Sequence, residues 1–260
     1  MSEARAFRLG YSTITWVPTP DLDRVLGTIA DAGWEGVEFI SVSMDWLGTP
    51  TRLRAMLDKH GLPPVCMFGS VSLGGDAEQA LERQRRIIEY AAELGCPIYC
   101  FTGSGRTPLR LPSDDEFKRL AEQAEILIDY AKPLGPTVAY HAHPRCTVES
   151  EEEQDKLLSY TERLQICHDV SVSAFMQEDA VAQIFKYRDR IAYVHMKDYT
   201  KGKFCVMGQG TVGLDFGRIR EALNEIGYKG WVMGEMSPYA DTDAEESCRA
   251  NREFLRSVGY

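Results

Sequence analysis

The chain has 260 residues, 44% of them hydrophobic and 26% charged, which is the make-up of an ordinary globular protein and excludes disordered or fibrous structure. Twenty-nine lysines and arginines against 39 aspartates and glutamates leave a net charge of -10. Such a surface repels phosphate backbones and anionic lipids, and no basic run offsets it, so nucleic acid and membrane are excluded as partners.

From the amino terminus, residues 1–10 are polar and charged, without the apolar segment of a secretory leader, and no later run is long enough to span a bilayer. The seven cysteines are scattered, with no C-x-x-C spacing. They are expected to be small buried hydrophobes in a reducing, cytoplasmic compartment. Eight short apolar or β-branched runs then follow one another: Arg8 to Thr13, Gly36 to Phe39, Pro64 to Phe68, Ile98 to Phe101, Thr137 to His141, Leu164 to His168, Ile191 to His195 and Trp231 to Glu235. Their mean spacing is about 32 residues, close to the ~30 that a strand–helix–strand unit needs. Between them lie charged, helix-periodic stretches with start signals at Asp21, Ser113 with Glu116, and Ser150 with Glu153. Gly33, Gly61, Gly95 and Gly227 stand where left-handed helix ends are needed. Eight units in ~250 residues predict a single (β/α)8 TIM barrel, with residues 1–260 as one domain. A doubly wound open sheet is the competing architecture.

In a barrel of this kind the chemistry sits at the carboxyl ends of the strands. His141 and His143 close the fifth run, His168 the sixth and His195 the seventh, whereas His60 falls at a helix end, where a capping role suffices. Carboxylates follow the same geography: Glu149 after the fifth run, Asp169 after the sixth and Glu235 ending the eighth. With His195 they form a three-carboxylate, one-imidazole set suited to a divalent ion such as Mn2+, with Mg2+, Co2+ or Zn2+ as alternatives. Glu149 also opens an acidic helix start, where carboxylates simply favour the dipole. His168 and Asp169 point opposite ways on an extended segment, so only one faces the mouth; the aspartate is taken as the ligand. Glu235 ends an otherwise buried strand, which is costly without a partner. His141 and His143 share a face and could line a pocket or bind zinc as a pair. Lys197 belongs to the same rim and could hold a substrate oxygen. Trp16 and Glu38 could form the opposite wall, with core packing and an internal ion pair as their plainer readings. The Gly208 to Gly213 stretch fits G-x-G-x-x-G but lies a dozen residues beyond the seventh run, so a mobile loop over the barrel mouth is expected instead of a dinucleotide site.

The ordered segments Tyr140-His141-Ala142-His143 with Thr147-Val148-Glu149-Ser150, Ile166-Cys167-His168-Asp169, Val194-His195-Met196-Lys197-Asp198, Gly208-Gln209-Gly210, and Gly227-Tyr228-Lys229-Gly230-Trp231 leading to Glu235 cover nearly the whole chain. Together they resemble the xylose-isomerase-like sugar isomerase/epimerase superfamily, in particular its inosose dehydratase, inosose isomerase and ketose 3-epimerase branch. The resemblance implies a metal on Glu149, Asp169, His195 and Glu235. It also implies a sugar or cyclitol substrate whose carbon-bound proton is removed to a metal-stabilised enediolate, with Glu149 and Glu235 as acid and base. Where the family commonly carries a substrate-reaching histidine three residues after the aspartate, this chain has Val172, which shifts that task to His141 or His143. His143 is taken as catalytic and His141, Lys197, Trp16 and Glu38 as substrate-binding. The expected activity is metal-dependent isomerisation or epimerisation; the alternative is a dehydratase or lyase on a keto-sugar or inosose through the same enolate. Homo-oligomerisation is expected, or a hetero-oligomer with a small partner subunit, as in relatives that cleave 3-keto C-glycosides. An apurinic-endonuclease-like repair enzyme would need three zincs and a basic face, both missing here. A non-catalytic sugar-binding barrel would not need all four ligand types.

Overall fold

The computed structural model describes residues 6–17, 21–41, 44–73, 77–106, 110–200, 202–238 and 240–260; the first five residues of the polar amino-terminal stretch lie outside these. Strands β1 (Arg8–Ser12), β2 (Val37–Ile40), β3 (Pro64–Ser70), β4 (Ile98–Thr102), β5 (Thr137–His141), β6 (Gln165–Asp169), β7 (Ile191–Met196) and, later, β10 (Trp231–Gly234) form a closed parallel barrel in the order β1-β10-β7-β6-β5-β4-β3-β2. Each predicted run is one of these strands, with ends displaced by at most two residues. Pairing of Tyr11 with Val37 and Ser12 with Glu38 closes the ring and rules out the open sheet. An antiparallel hairpin, β8 (Asp198–Thr200) with β9 (Lys203–Cys205), leaves the seventh strand and was not anticipated.

The helices are α1 (Leu22–Ala32), α2 (Met44–Leu47), α3 (Pro50–His60), α4 (Ala77–Leu94), α5 (Asp114–Ala131), α6 (Glu151–Leu158), α7 (Val170–Phe175), α8 (Ala180–Lys186), α9 (Phe216–Glu225) and α10 (Ala244–Ser257). Sequence chemistry sets their limits. In α1 the Asp21 side chain accepts from the Arg24 N–H, and Leu22, Val25, Leu26, Ile29 and Ala32 recur at helical spacing as its buried face. Gly33 ends it at φ 85°, a conformation in which a Cβ would be strained. Ser113 with Glu116 and Ser150 with Glu153 form reciprocal capping boxes for α5 and α6. His60 does more than sit at a helix end: its Nε2 lies 2.8 Å from Asp23 Oδ1, tying α3 to α1.

Strand alternation divides the apolar residues into two cores. Outward positions such as Leu9, Phe39, Met67, Ile166 and Val194 pack under the helices, while Cys66, Cys100, Ala139, Cys167, Tyr193, Trp231 and Met233 fill the barrel. Burying a Leu- or Phe-sized side chain stabilises by roughly 1.5–3 kcal/mol, so this double layer makes the barrel a rigid frame for whatever its upper rim carries. Five cysteines are buried, Cys146 and Cys205 are partly so, and no disulfide links them. Among the described residues no helix is long and apolar enough to cross a membrane.

Candidate active site

The alternation that fills the barrel also builds its mouth. Two residues beyond inward-facing Cys167 comes Asp169, beyond Tyr193 come His195 and then Lys197, beyond Met233 comes Glu235, and beyond Ala139 come His141 and His143. Asp169 is paired in register with His195, and His195 with Met233, which sets these side chains at one level. Above them opens a cavity of about 210 Å³ lined by Glu38, Phe68, His141, His143, Cys146, His195, Lys197 and Glu235 among others.

Asp169 divides its oxygens between two tasks. Oδ1 caps α7, accepting from the Ser171 and Val172 N–H groups at 2.9 and 3.1 Å. Oδ2 turns inward, 3.2 Å from His141 Nε2 and 2.8 Å from Lys197 Nζ. Burial favours the neutral acid, but the Lys197 ammonium and the His141 bond outweigh it and hold the carboxyl well below the usual range. Lys197, only 1% exposed, also reaches Glu235 Oε1 at 2.9 Å. Burial opposes its charge, while Asp169 and Glu235 win and raise its pKa. Glu235 is likewise opposed by burial and held ionised by Lys197 and His195.

His195 lies between two carboxylates. Its Nε2 is 2.9 Å from Glu38 Oε2 and its Nδ1 2.9 Å from Glu235 Oε2; burial would discharge the ring, and the two glutamates raise its pKa instead. Glu38 is fully buried and also accepts a short hydrogen bond from the Tyr193 hydroxyl. It therefore realises the internal ion pair and lines the cavity at once. Phe68 stacks on His195 at 6.1 Å and meets His141 edge-on at 5.4 Å.

Asp169, His195 and Glu235 each present a donor atom within 4.8 Å of the others. His141 Nδ1 and Glu38 Oε1 are buried without a hydrogen-bond partner, although such atoms are normally satisfied. The oxygen, oxygen and nitrogen donors, with the unpaired Glu38 Oε1 on the same cavity, fit a divalent cation of intermediate hardness.

The other predicted residues are dispersed in an informative way. Glu149 is outside this group: Arg106 pairs with it closely, the Arg145 N–H donates to its Oε2 at 2.6 Å, and Arg106 also grips Glu153 at 2.5 Å. His143 is on the cavity wall, and because its Nδ1 is 2.9 Å from the Pro144 carbonyl oxygen it must donate there, leaving the lone pair on Nε2. Burial, reinforced by Lys197, lowers its pKa and keeps the ring neutral. His141 is driven down to about 3 by burial. Trp16 packs edge-on against Tyr11 at 5.8 Å and lines a separate pocket with Asp21 and Arg24. His168 faces away from the barrel interior, with Nε2 3.2 Å from the Ala180 carbonyl oxygen. Val172 is buried in the first turn of α7. The glycine-rich stretch wraps a carboxylate of the chain itself: Gly208 and Gly210 donate to Asp198 Oδ2 at 2.9 and 3.0 Å. A side chain at position 210 would overlap Asp198, so this loop is closed around Asp198.

The model of the xylose isomerase-like TIM barrel family matches residues 26–258. The chain belongs to the xylose isomerase-like TIM barrel family. Among its relatives is an inosose dehydratase of Geobacillus kaustophilus, 29% identical over 88% of this chain and 87% of that one. The 3-keto-D-glucoside 4-epimerase YcjR of E. coli superposes with a TM-score of 0.81 at 20% identity, covering 96% of this chain and 99% of that one. An L-ribulose 3-epimerase does so with 0.82 at 20% identity, covering 97% and 95%. These relatives are, by their names, enzymes that act on cyclitols and sugars.

Sequence reasoning missed Tyr193, Phe68, Cys167 and Arg106. Tyr193 and Cys167 share the inward parity of His195 on β7 and Asp169 on β6, and Phe68 lies two residues beyond inward-facing Cys66 on β3, so counting by two from each predicted ligand would have found Tyr193 and Cys167. Arg106 is 43 residues from Glu149 in a different loop, and no local signal joins them.

Proposed function

We propose that this family member is a divalent-metal-dependent enzyme that removes the proton α to the carbonyl of a keto-sugar or inosose and expels the β-hydroxyl as water. The observation that carries this reading is His143: a neutral imidazole at the cavity wall, with Nδ1–H tied to Pro144 and the Nε2 lone pair free. That is the state a general base needs near neutral pH. Asp169, His195 and Glu235 would hold the metal, with Glu149 joining them only by leaving Arg106. Bound there, a divalent ion such as Mn2+ would act as a Lewis acid that stabilises the negative charge developing on the substrate's carbonyl oxygen.

The chain's own groups supply the rest. His143 Nε2 takes the carbon-bound proton. Lys197, charged and directed into the cavity, can donate a hydrogen bond to a substrate oxygen, and the proton held by His143 passes to the departing hydroxyl, which leaves as water and restores the neutral imidazole. Phe68 and the buried strand ends exclude bulk water and strengthen each of these contacts. The cavity is smaller than the ~300–1,000 Å³ that drug-sized ligands occupy, which favours a monosaccharide or cyclitol. The inosose dehydratase relative supports elimination. Isomerisation or epimerisation is the second reading, because the proton taken by His143 can be returned to carbon by His143 itself, or replaced from the Lys197 ammonium that lines the same cavity.

Incubation of the Mn2+-loaded protein with inososes and keto-hexoses, followed by mass spectrometry of the products, tests the choice. Loss of one water is expected. An isobaric product from every active substrate would overturn elimination in favour of epimerisation.

A further inference from the structure

Below the oxygen-rich donors lies a second, chemically different set. Cys167, two residues before Asp169 on β6, is in register with His141 on β5 and with Tyr193 on β7. One imidazole nitrogen from each of His141 and His195 and the Cys167 sulfur stand within 4.8 Å of one another, all buried. His141 is 99% buried; its Nε2–H is directed at Asp169, so Nδ1 carries the lone pair, and Nδ1 has no hydrogen-bond partner. A buried lone pair beside a thiol and a second imidazole is unexplained by the proton-transfer chemistry proposed above, which does not use Cys167.

We propose that Cys167, His141 and His195 form a binding site for a soft divalent ion, of the zinc or cadmium class, which shares His195 with the oxygen-rich site and so competes with the harder ion held there. Thiolate and imidazole are the donors such ions prefer, while carboxylates suit manganese and magnesium. With bonds of about 2.0–2.1 Å to nitrogen and 2.3 Å to sulfur, donors around one zinc stand roughly 3.3–3.8 Å apart. The observed set therefore needs only modest side-chain adjustment to close on an ion. Entry is through the cavity, whose lining includes both histidines. On binding, the Cys167 S–H bond breaks and His195, paired through both nitrogens with Glu38 and Glu235, gives up one N–H proton; both protons leave to solvent, and sulfur–metal and nitrogen–metal bonds form with no change of oxidation state. Because one imidazole cannot serve both ions in full, the soft ion displaces the hard one and inhibits.

The test is titration of the chelator-stripped full chain with Cd2+, read by the thiolate-to-cadmium charge-transfer absorbance, with Mn2+ binding measured separately by electron paramagnetic resonance. The parent should develop the band with one Cd2+ per chain. Cys167→Ser should abolish it while keeping Mn2+ affinity within about threefold. Cys66→Ser and Cys100→Ser, which change neighbouring barrel cysteines, and Cys146→Ser, which changes the thiol nearest His143, should all retain it. If Cys167→Ser fails to fold, His141→Gln should weaken Cd2+ binding by about tenfold or more. Persistence of the band in Cys167→Ser, its loss in Cys146→Ser, or its absence from the parent overturns the inference. A Cys167-dependent band without any Mn2+ binding would leave the soft site standing and overturn the manganese-dependent reaction.

Discussion

Replacing Lys197 with Met removes the cation that bridges Asp169 and Glu235 while keeping most of the side chain's volume. All three groups are buried, with side-chain exposures of 1% for Lys197 and Asp169 and 8% for Glu235, so solvent screens the network little. Breaking such a pair from one side leaves uncompensated charge and costs about 3–5 kcal/mol. For a protein of this size 1 kcal/mol moves the melting temperature by roughly 2–4 °C, so Lys197→Met in EDTA should melt about 6–20 °C below the parent. Calorimetry gives the shift and urea denaturation the free energy. Mn2+ should then stabilise the variant more than the parent, because added positive charge meets the same two carboxylates without a competing ammonium; at a hundredfold excess over Kd the gain is about 2.7 kcal/mol for unchanged affinity. A loss below about 1 kcal/mol in EDTA, or equal Mn2+ stabilisation of both proteins, would show that the Lys197 ammonium does not neutralise Asp169 and Glu235.

Other consequences can be checked separately. His143→Asn should lower kcat by about 10²–10⁴ with metal affinity unchanged, and a loss under tenfold in steady-state assays would remove His143 as the base. His141, held at about 3 in the fold against an ordinary value of 6.5, gives stability that is present above pH 6.5 and is lost as pH falls toward 3, because below 6.5 the unfolded chain takes up the proton first. At pH 4.5 that loss is about 2–3 kcal/mol; urea unfolding in EDTA should show a smaller drop between pH 7.5 and 4.5 for His141→Gln than for the parent, and equal drops would contradict it. Asp198→Ala removes the acceptor of the Gly208 and Gly210 N–H groups and should cost about 1.5–3 kcal/mol by urea denaturation, the value of a hydrogen bond to a charged group; an unchanged midpoint would show that the carboxylate does not hold the loop.

The barrel was legible because its strands are short apolar runs with helix signals between them, and the capping chemistry at Ser113, Ser150 and Gly33 is local enough to read directly. The hairpin of β8 and β9 escaped because its strands are three residues each and carry Asp198, Thr200 and Lys203, too short and polar to show a period. The site divides along the same line. Asp169, His195 and Glu235 come from strand ends, where alternation and the barrel's fixed register decide what meets what, and the structure brings them together. Glu149 comes from a loop, where direction is set by partners remote in sequence; Arg106 holds it beside Glu153. The Gly208 to Gly213 pattern shows the reverse difficulty. The glycines do provide N–H groups to an anion, and that anion is Asp198.

A divalent ion on Asp169, His195 and Glu235, as proposed, enables removal of a carbon-bound proton. Proton NMR in D2O, following exchange of the substrate hydrogen α to the carbonyl in an inosose as Mn2+ is titrated into the EDTA-stripped enzyme, tests it most directly. Exchange should rise in step with metal occupancy up to one ion per chain, and should be absent from the stripped protein. Full exchange in the stripped protein, independent of added metal, would contradict the claim.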